Sequence, residues 1–524
     1  MKRILYTLLL TAAVAGTITS CVGDLDQYPH EQTTSNTVYT SAANYKAVLG
    51  KLYNSFTTKG LTQDGDVDLS SNKGEDYMRN YFNMQECSTD EVIYTWQGGD
   101  NMSGLTYISW DANDVWVADT YYRIYYTIAL CNEFLRNAGD GQIGSFSADD
   151  QTLIRQYRLE ARFIRALAYS HALDLYRNIP FVTEADPVGS YLPPRYTGEQ
   201  MFAFLESELT AIAPEMLDKS ACEYGRAGQG AAYALLARLY LNAEVYTGTA
   251  KWSECIAACK QVLGMGYSIE PTYGKLFNAD NHLRTNEIIF TFPVDSKYKA
   301  TWGTTSYIIC GGVNNTSDTQ NPADYGIQSG WGNFRLRGEF TDLFATADKR
   351  GNFYTEGQTK DIAVVDNQGN GYLPQKWTNL TDAGEAAPDV DKSGVCTDFP
   401  VFRLADVYLM LAEAVVRGGS GSSRTEALAL VNELRTRAYG DNTGNISDSQ
   451  LTADFLLDER GRELYHECVR RSDLIRFGKF TTADYLWQWK GGVIDGQAVD
   501  SKYNIYPIPT TELTANPNLY NENY

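Results

Sequence analysis

Histidine is nearly absent from this sequence: His30, His171, His282 and His466 are the only four in 524 residues, and they lie far apart. That leaves little material for an imidazole-centred triad or a paired-histidine metal site, and each of the four reads as structural. No HExxH, GxSxG or GxxxxGK segment occurs, which removes the common zinc-protease, hydrolase-elbow and phosphate-loop chemistries. Nine cysteines are scattered without a CxxC pair, so neither a disulfide framework nor a zinc site is indicated. Basic residues are in deficit, 44 against 65 acids, for a net charge of −21. A surface that acidic repels phosphate backbones and anionic headgroups, so no nucleic-acid partner is expected. Apolar runs of membrane-spanning length are also missing.

What the chain does have begins at its N-terminus. MKRILYTLLLTAAVAGTITS sets Lys2 and Arg3 before an apolar run too short to span a bilayer comfortably, the pattern of an export signal over residues 1–20. Ile18-Thr19-Ser20-Cys21 is similar to a bacterial lipobox, which makes Cys21 the expected lipidation site. Several acyl chains on one cysteine anchor stably where a single chain would not. Removal of residues 1–20 takes away two basic residues and no acid, leaving 42 against 65 and a charge of −23. Residues 21–40 then read as a polar tether without apolar periodicity.

Residues 41–265 are rich in helical spacing. Apolar groups recur every three or four residues over 114–136, 152–176, 198–216, 231–246 and 251–263, and again over 402–417 and 425–439 within the C-terminal region 401–524. Small residues such as Ala234, Ala237, Ala412 and Ala414 stand where helices must approach closely. About four such hairpins resemble tetratricopeptide repeats, so the expected fold is an all-α helical-hairpin scaffold. Between 266 and 400 the periodicity collapses into short β-like runs such as Glu287–Phe292 among Gly, Asn, Asp and Thr, which predicts a loop-rich, partly β insert carrying a ligand site.

Several local patterns yield bland readings. Asp64, Asp66 and Asp68 with Glu75 have calcium-loop spacing, but Leu69 stands where the turn needs glycine, which makes this a solvated acidic loop. Gly225-Arg226-Ala227-Gly228-Gln229-Gly230 is similar to a nucleotide loop, yet no strand precedes it, and it reads as a flexible lead into a helix. Cys255 and Cys259 read as small-residue packing, and Glu459 and Glu463 as surface charge. Glu86, Asp90 and Glu91 are placed in capping and loop hydrogen bonds.

The aromatic content is 13%, with 37 Tyr and 9 Trp, more rings than a core requires. Three of the tryptophans sit beside glycine in polar surroundings: Trp96 in TWQGGDN, Trp302 in ATWGTTSYIICG and Trp331 in SGWGN. Glycine leaves an indole uncovered, and a flat indole matches the C–H face of a pyranose, whose hydroxyl rim suits Arg, Asp, Asn and Gln.

Four segments carry a resemblance over essentially the whole chain: YRLEARFIRALAYSHALDLYRNIPFVTE, FRLADVYLMLAEA, LLDERGRELYHECVRRSDLIRFGKF and YPIPTTELTANPNL. They resemble the SusD/RagB family of Bacteroidetes outer-membrane lipoproteins, and FGKFTTADYLWQWKGG, ARLYLNAEVYTG and TSYIICG are similar to its starch-binding members. The resemblance implies a non-enzymatic lipoprotein, anchored to the outer membrane and facing outward. Such a protein binds starch or malto-oligosaccharides and partners a SusC-like TonB-dependent transporter. It also implies that Arg79, Trp96, Trp302 and Trp331 form the carbohydrate site, with Trp302 replacing a tyrosine. Gly99 falls where the family has asparagine, and Asp100 or Asn101 is expected to supply that contact. Arg417-Gly418-Gly419-Ser420 lacks the acid with which starch-type members hold calcium, so no cofactor is expected and a structural calcium ion stays an open alternative. Rival readings are a binder of another glycan, a surface glycoside hydrolase and a protein-binding helical scaffold.

Overall fold

The computed structural model describes residues 38–60, 67–69, 72–299, 301–314, 320–388 and 394–520. The export signal, Cys21, most of the tether, His30 and Asp64 to Asp66 lie outside the described residues. Helix starts follow from short oxygen-bearing side chains that satisfy the first free N–H groups. Ser41 accepts from Asn44 N, Asp114 from Trp116 N and Val117 N, and Ser147 from Asp150 N. Thr197 forms a reciprocal capping box with Gln200.

Counting helices of seven residues or more among the described residues, the first half contains α1 (Ala42–Asn54), α2 (Tyr77–Glu86), α3 (Val115–Asn137), α4 (Ala148–Tyr176), α5 (Gly198–Ile212), α6 (Gln229–Leu241) and α7 (Trp252–Leu263). The remainder contains α8 (Thr304–Gly311), α9 (Leu404–Val416), α10 (Arg424–Tyr439), α11 (Ala453–Leu464) and α12 (Arg470–Arg476). Consecutive helices pack as hairpins, α3 on α4, α6 on α7 and α9 on α10, and α7 joins α9 so that the two halves share one layer. Ala231, Ala234 and Ala237 on α6 are buried at these contacts, where only small side chains let the backbones approach. This is the expected helical-hairpin scaffold.

Strands are short and come in antiparallel pairs: β1 (Val92–Tyr94), β2 (Ile179–Pro180), β3 (Arg195–Tyr196), β4 (Ile288–Phe292), β5 (Phe334–Leu336), β6 (Phe353–Tyr354), β7 (Leu373–Pro374) and β8 (Phe399–Arg403). β1 pairs with β5, β2 with β3, β4 with β8 and β6 with β7. The β4–β8 pair closes the two ends of the insert, and β1–β5 ties its middle to the N-terminal region.

One expectation is corrected. Glu459 and Glu463, read as surface charge, are fully buried. They lie on the face of α11 turned inward, where Arg350 reaches Glu459 at 2.8 Å and Glu463 at 2.9 Å, and Arg435 reaches Glu459 at 2.6 Å. Arg403 reaches Glu463 at 2.6 Å, Glu467 at 2.7 Å and Glu287 at 3.1 Å. Burial opposes ionisation of Glu459, but the surrounding guanidiniums outweigh it and hold that carboxyl down at about 2. No helix among the described residues is long and apolar enough to cross a membrane.

Candidate functional site

The site starts at a single buried carboxylate. Asp76 caps α2 by accepting from Arg79 N at 2.8 Å. Its other oxygen accepts from Thr301 Oγ1 at 2.6 Å and Thr304 Oγ1 at 3.3 Å. One side chain therefore fixes both the first turn of α2, which carries Arg79, and the loop that carries Trp302. Gly303 has to be glycine, because a Cβ there would fall inside the Asp76 carboxylate. Thr304 is held at φ 48°, a left-handed conformation that β-branched residues avoid and that collects at functional sites.

The β1–β5 ladder brings the other two tryptophans to one end of the molecule. Tyr94 stands opposite Phe334, so Trp96, two residues beyond β1, and Trp331, three before β5, leave the pair on the same side. Thr95 N donates to Asn333 O at 2.8 Å and Thr95 Oγ1 to Gly332 O at 3.1 Å, extending the pairing to the tryptophans themselves. Trp331 N donates to Cys310 O at 2.7 Å, which seats its loop against α8. A Cβ at Gly330 would run into Val313 O, so glycine is needed for that approach.

Trp302 and Trp331 are half-buried neighbours, their ring centroids 6.0 Å apart and their planes inclined by 46°. Tyr307 lies 6.4 Å beyond Trp331, and the Arg79 guanidinium lies over the Tyr307 ring at 4.3 Å. Arg79 also pairs with Glu75 at 3.0 Å and approaches Asp100 at 3.9 Å. Trp96 is 41% exposed, set at the start of the short helix Gln97–Asp100. The carboxylate of Asp100 accepts from Tyr94 Oη, which in turn accepts from Asn333 Nδ2. Trp116 Nε1 donates to Asp100 O at 2.8 Å. Asp100 is thus engaged inward, whereas Asn101 is exposed at a left-handed helix end with φ 60°. The structure gathers Arg79, Asp100, Trp302 and Trp331 through one chain of contacts, and places Trp96 and Asn101 on the adjoining turn.

Sequence reasoning missed Asp76, Tyr94, Tyr307 and Asn333. Tyr307 and Asn333 lie within segments singled out for their tryptophans, and Asp76 precedes a helix as capping residues do. Their roles depend on partners more than 200 residues away, such as Tyr307 Oη donating to Asn83 Oδ1 at 2.8 Å.

The carboxylates near Trp96 are not offered to solvent. Asp90 accepts from Arg470 at 2.8 and 2.6 Å and from Tyr485 Oη at 2.7 Å. Glu86 and Glu91 are buried beside one another, Glu86 accepting from Cys468 N and Glu91 from His466 N at 3.0 Å. Burial raises both, Glu91 to about 7 and Glu86 well above the ordinary value. Among the described residues no group of three or more His, Cys, Asp or Glu is arranged to hold a metal ion. Arg417, at the loop considered for calcium, instead pairs with Glu413 at 2.8 Å.

The family model described as the SusD family matches residues 349–524. The starch-binding protein SusD of Bacteroides thetaiotaomicron is 31% identical, over 99% of this chain and 98% of its own length. The chain belongs to the SusD family. SusD-like protein P25 of Formosa agariphila is 24% identical, with 95% of each chain covered. Among solved structures, a SusD homologue from Bacteroides thetaiotaomicron has a TM-score of 0.72 at 18% identity, covering 93% of this chain and 98% of that one. Surface glycan-binding protein A from the same organism, in complex with laminarihexaose, has a TM-score of 0.69 at 17% identity, covering 92% and 99%.

Proposed function

We propose that this SusD-family protein is a non-enzymatic lipoprotein of the outer membrane that captures starch-like α-glucan at the cell surface and passes it to a TonB-dependent transporter. The observation that carries the reading is the pair of indoles inclined by 46° beside Arg79, with the exposed Trp96 on the next turn. Platforms tilted against each other cannot both lie flat on successive rings of a straight ribbon, but they suit a chain that turns. Arg79 and Asn101 supply donors for the hydroxyl rim, and Asp100 acts by holding Tyr94 and Arg79 in place. Modest affinity per ring suffices, because several contacts on one polymer reinforce one another through effective concentration. The membrane anchor through Cys21 and the transporter as partner rest on the lipobox and on the family.

A second reading, a β-1,3-glucan binder, is favoured by the laminarihexaose complex of a structural relative, since that glucan also turns. Affinity electrophoresis in amylopectin, pullulan, laminarin, dextran and inulin separates the two. Retardation by the α-1,4 polymers alone is expected, and retardation by laminarin alone would replace the starch assignment. Incubation with amylopectin is expected to give no new reducing ends.

A further inference from the structure

The glycine-rich lead into α6 has a place in the fold that the tryptophan site does not use. Beside it lies a cavity of about 240 Å³, walled by Ile288 to Thr291 of β4 on one side and Tyr267 on another. Glycine at 230 makes this wall: a Cβ there would sit 2.7 Å from Tyr267 Oη and 3.1 Å from Ile289 Cγ2. The volume falls below the range of about 300–1,000 Å³ typical of drug-sized ligands, so it suits one ring-sized group rather than an extended segment.

Its lining has the two components a pyranose requires. The 40% exposed Tyr224 supplies ring surface, and Tyr267 lines the cavity with Lys219 Nζ 4.1 Å from its ring centroid. Glu223, Gln229 and Thr285 supply acceptors and donors around it. Gln229 donates its amide nitrogen to Pro214 O at 3.2 Å. A line of hydrogen bonds leads from the cavity lining to the loop that carries Trp302. Tyr224 Oη donates to Asp398, the adjacent Thr397 O accepts from Thr305 Oγ1 at 2.6 Å, and Thr305 lies three residues beyond Trp302.

From this geometry we infer a second carbohydrate subsite at the α6 cavity, which takes one sugar ring of the polymer whose other rings occupy the tryptophan arc. The inference rests on the glycan-binding reading above. Its effect is avidity: the arc holds the chain, and the cavity engages a further ring at high effective concentration.

Cys222 lines the cavity and reports on it. In the full-length protein, alkylation of Cys222 by N-ethylmaleimide, read by mass spectrometry, should slow about fivefold under saturating maltoheptaose, the protection a seated ligand gives. The slowing should persist, at higher sugar concentration, in a protein carrying Trp302→Ala and Trp331→Ala. An unchanged rate in wild type, or slowing that vanishes with the two tryptophans, overturns the inference. Tyr267→Ala with Thr285→Val should leave maltotriose affinity unchanged and weaken maltoheptaose binding about threefold to tenfold. Equal losses for both sugars, or no loss, also overturn it, and Tyr267→Phe controls for folding. If wild type binds neither maltose oligomer, the α-glucan reading itself has failed, and the same footprint with laminarihexaose then decides the cavity separately.

Discussion

An asparagine at position 99 should tighten glucan binding. Gly99 lies in the short helix that follows Trp96, is not among the residues with positive φ, and has no atom within 4 Å of where a Cβ would stand. Gly99→Asn therefore meets no steric penalty, and asparagine is a slightly better helix residue than glycine. Asp100 cannot provide the amide contact, because its carboxylate serves Tyr94 and Arg79 and its carbonyl serves Trp116. The new amide would face solvent until sugar arrives, so its contribution is that of an ordinary hydrogen bond, about 0.5–1.5 kcal/mol. That corresponds to a dissociation constant lower by about twofold to tenfold. Titration calorimetry with maltoheptaose measures it, with thermal midpoints compared to show that the fold is unchanged. Equal or weaker affinity at an equal midpoint would mean that the ligand does not pass this edge, and the reasoning about the turn after Trp96 would fail.

Trp96→Ala should cost about 1–3 kcal/mol of glucan binding while leaving the thermal midpoint nearly unchanged, because the ring is 41% exposed and carries little of the core. Unaltered affinity would remove Trp96 from the site. Arg403→Met removes the one cation that reaches Glu287, Glu463 and Glu467 together, leaving Arg437 on the first two and Lys376 on the third with an excess of buried negative charge, and urea denaturation should show a loss of about 3–5 kcal/mol. A loss below about 1 kcal/mol would show that the cluster is not coupled as described. Stability should also fall as pH rises from about 6.5 to about 8. In that window Glu91, at about 7 in the fold, and Glu86, raised further, release protons that the unfolded chain gave up near its ordinary carboxylate value. His171 and His466, held at about 3 by burial, are neutral in the fold throughout, and the unfolded chain still carries about half of their protons at the bottom of the window and nearly none at its top, so their loss offsets part of the fall in its lower half. Glu91→Gln should flatten the slope, and a slope unchanged in that variant would exclude the pair as its source.

Helices whose faces differ were legible in the sequence. The spacing over 114–136 and 251–263 matches α3 and α7 to within one residue, because one face meets the core and the other meets water. α8 was not legible, since all eight of its residues are buried and no polar face marks the period. α2 failed for a related reason: Asn80, Asn83, Gln85 and Glu86 are buried, so polar residues stand where apolar ones are sought. The inward orientation of Glu459 and Glu463 was hidden because Arg350 and Arg403, which hold them, come from sequence-distant segments. At the site, glycine beside tryptophan marked the platforms, but Asp76 and Tyr94 act through partners that only tertiary structure supplies.

The buried carboxylates that precede Trp96 in the sequence bear on how the chain reaches this structure. Glu86, Asp90 and Glu91 find their partners 382, 380 and 375 residues later, at Cys468, Arg470 and His466. A ribosome releases the N-terminal part first, so these acids wait in water until nearly the whole polypeptide has been made. Such distant closure is paid in loop entropy before it stabilises anything, which slows folding and lengthens the interval in which unfinished chains can aggregate. It also means that the segment 349–524, the part the family model matches, is no independent module. Expressed alone, it would carry Arg470 without its carboxylate and two backbone N–H groups without their acceptors. Shortening this protein for expression or display should therefore keep residues 86–91 with the C-terminal segment and not start from the family boundary.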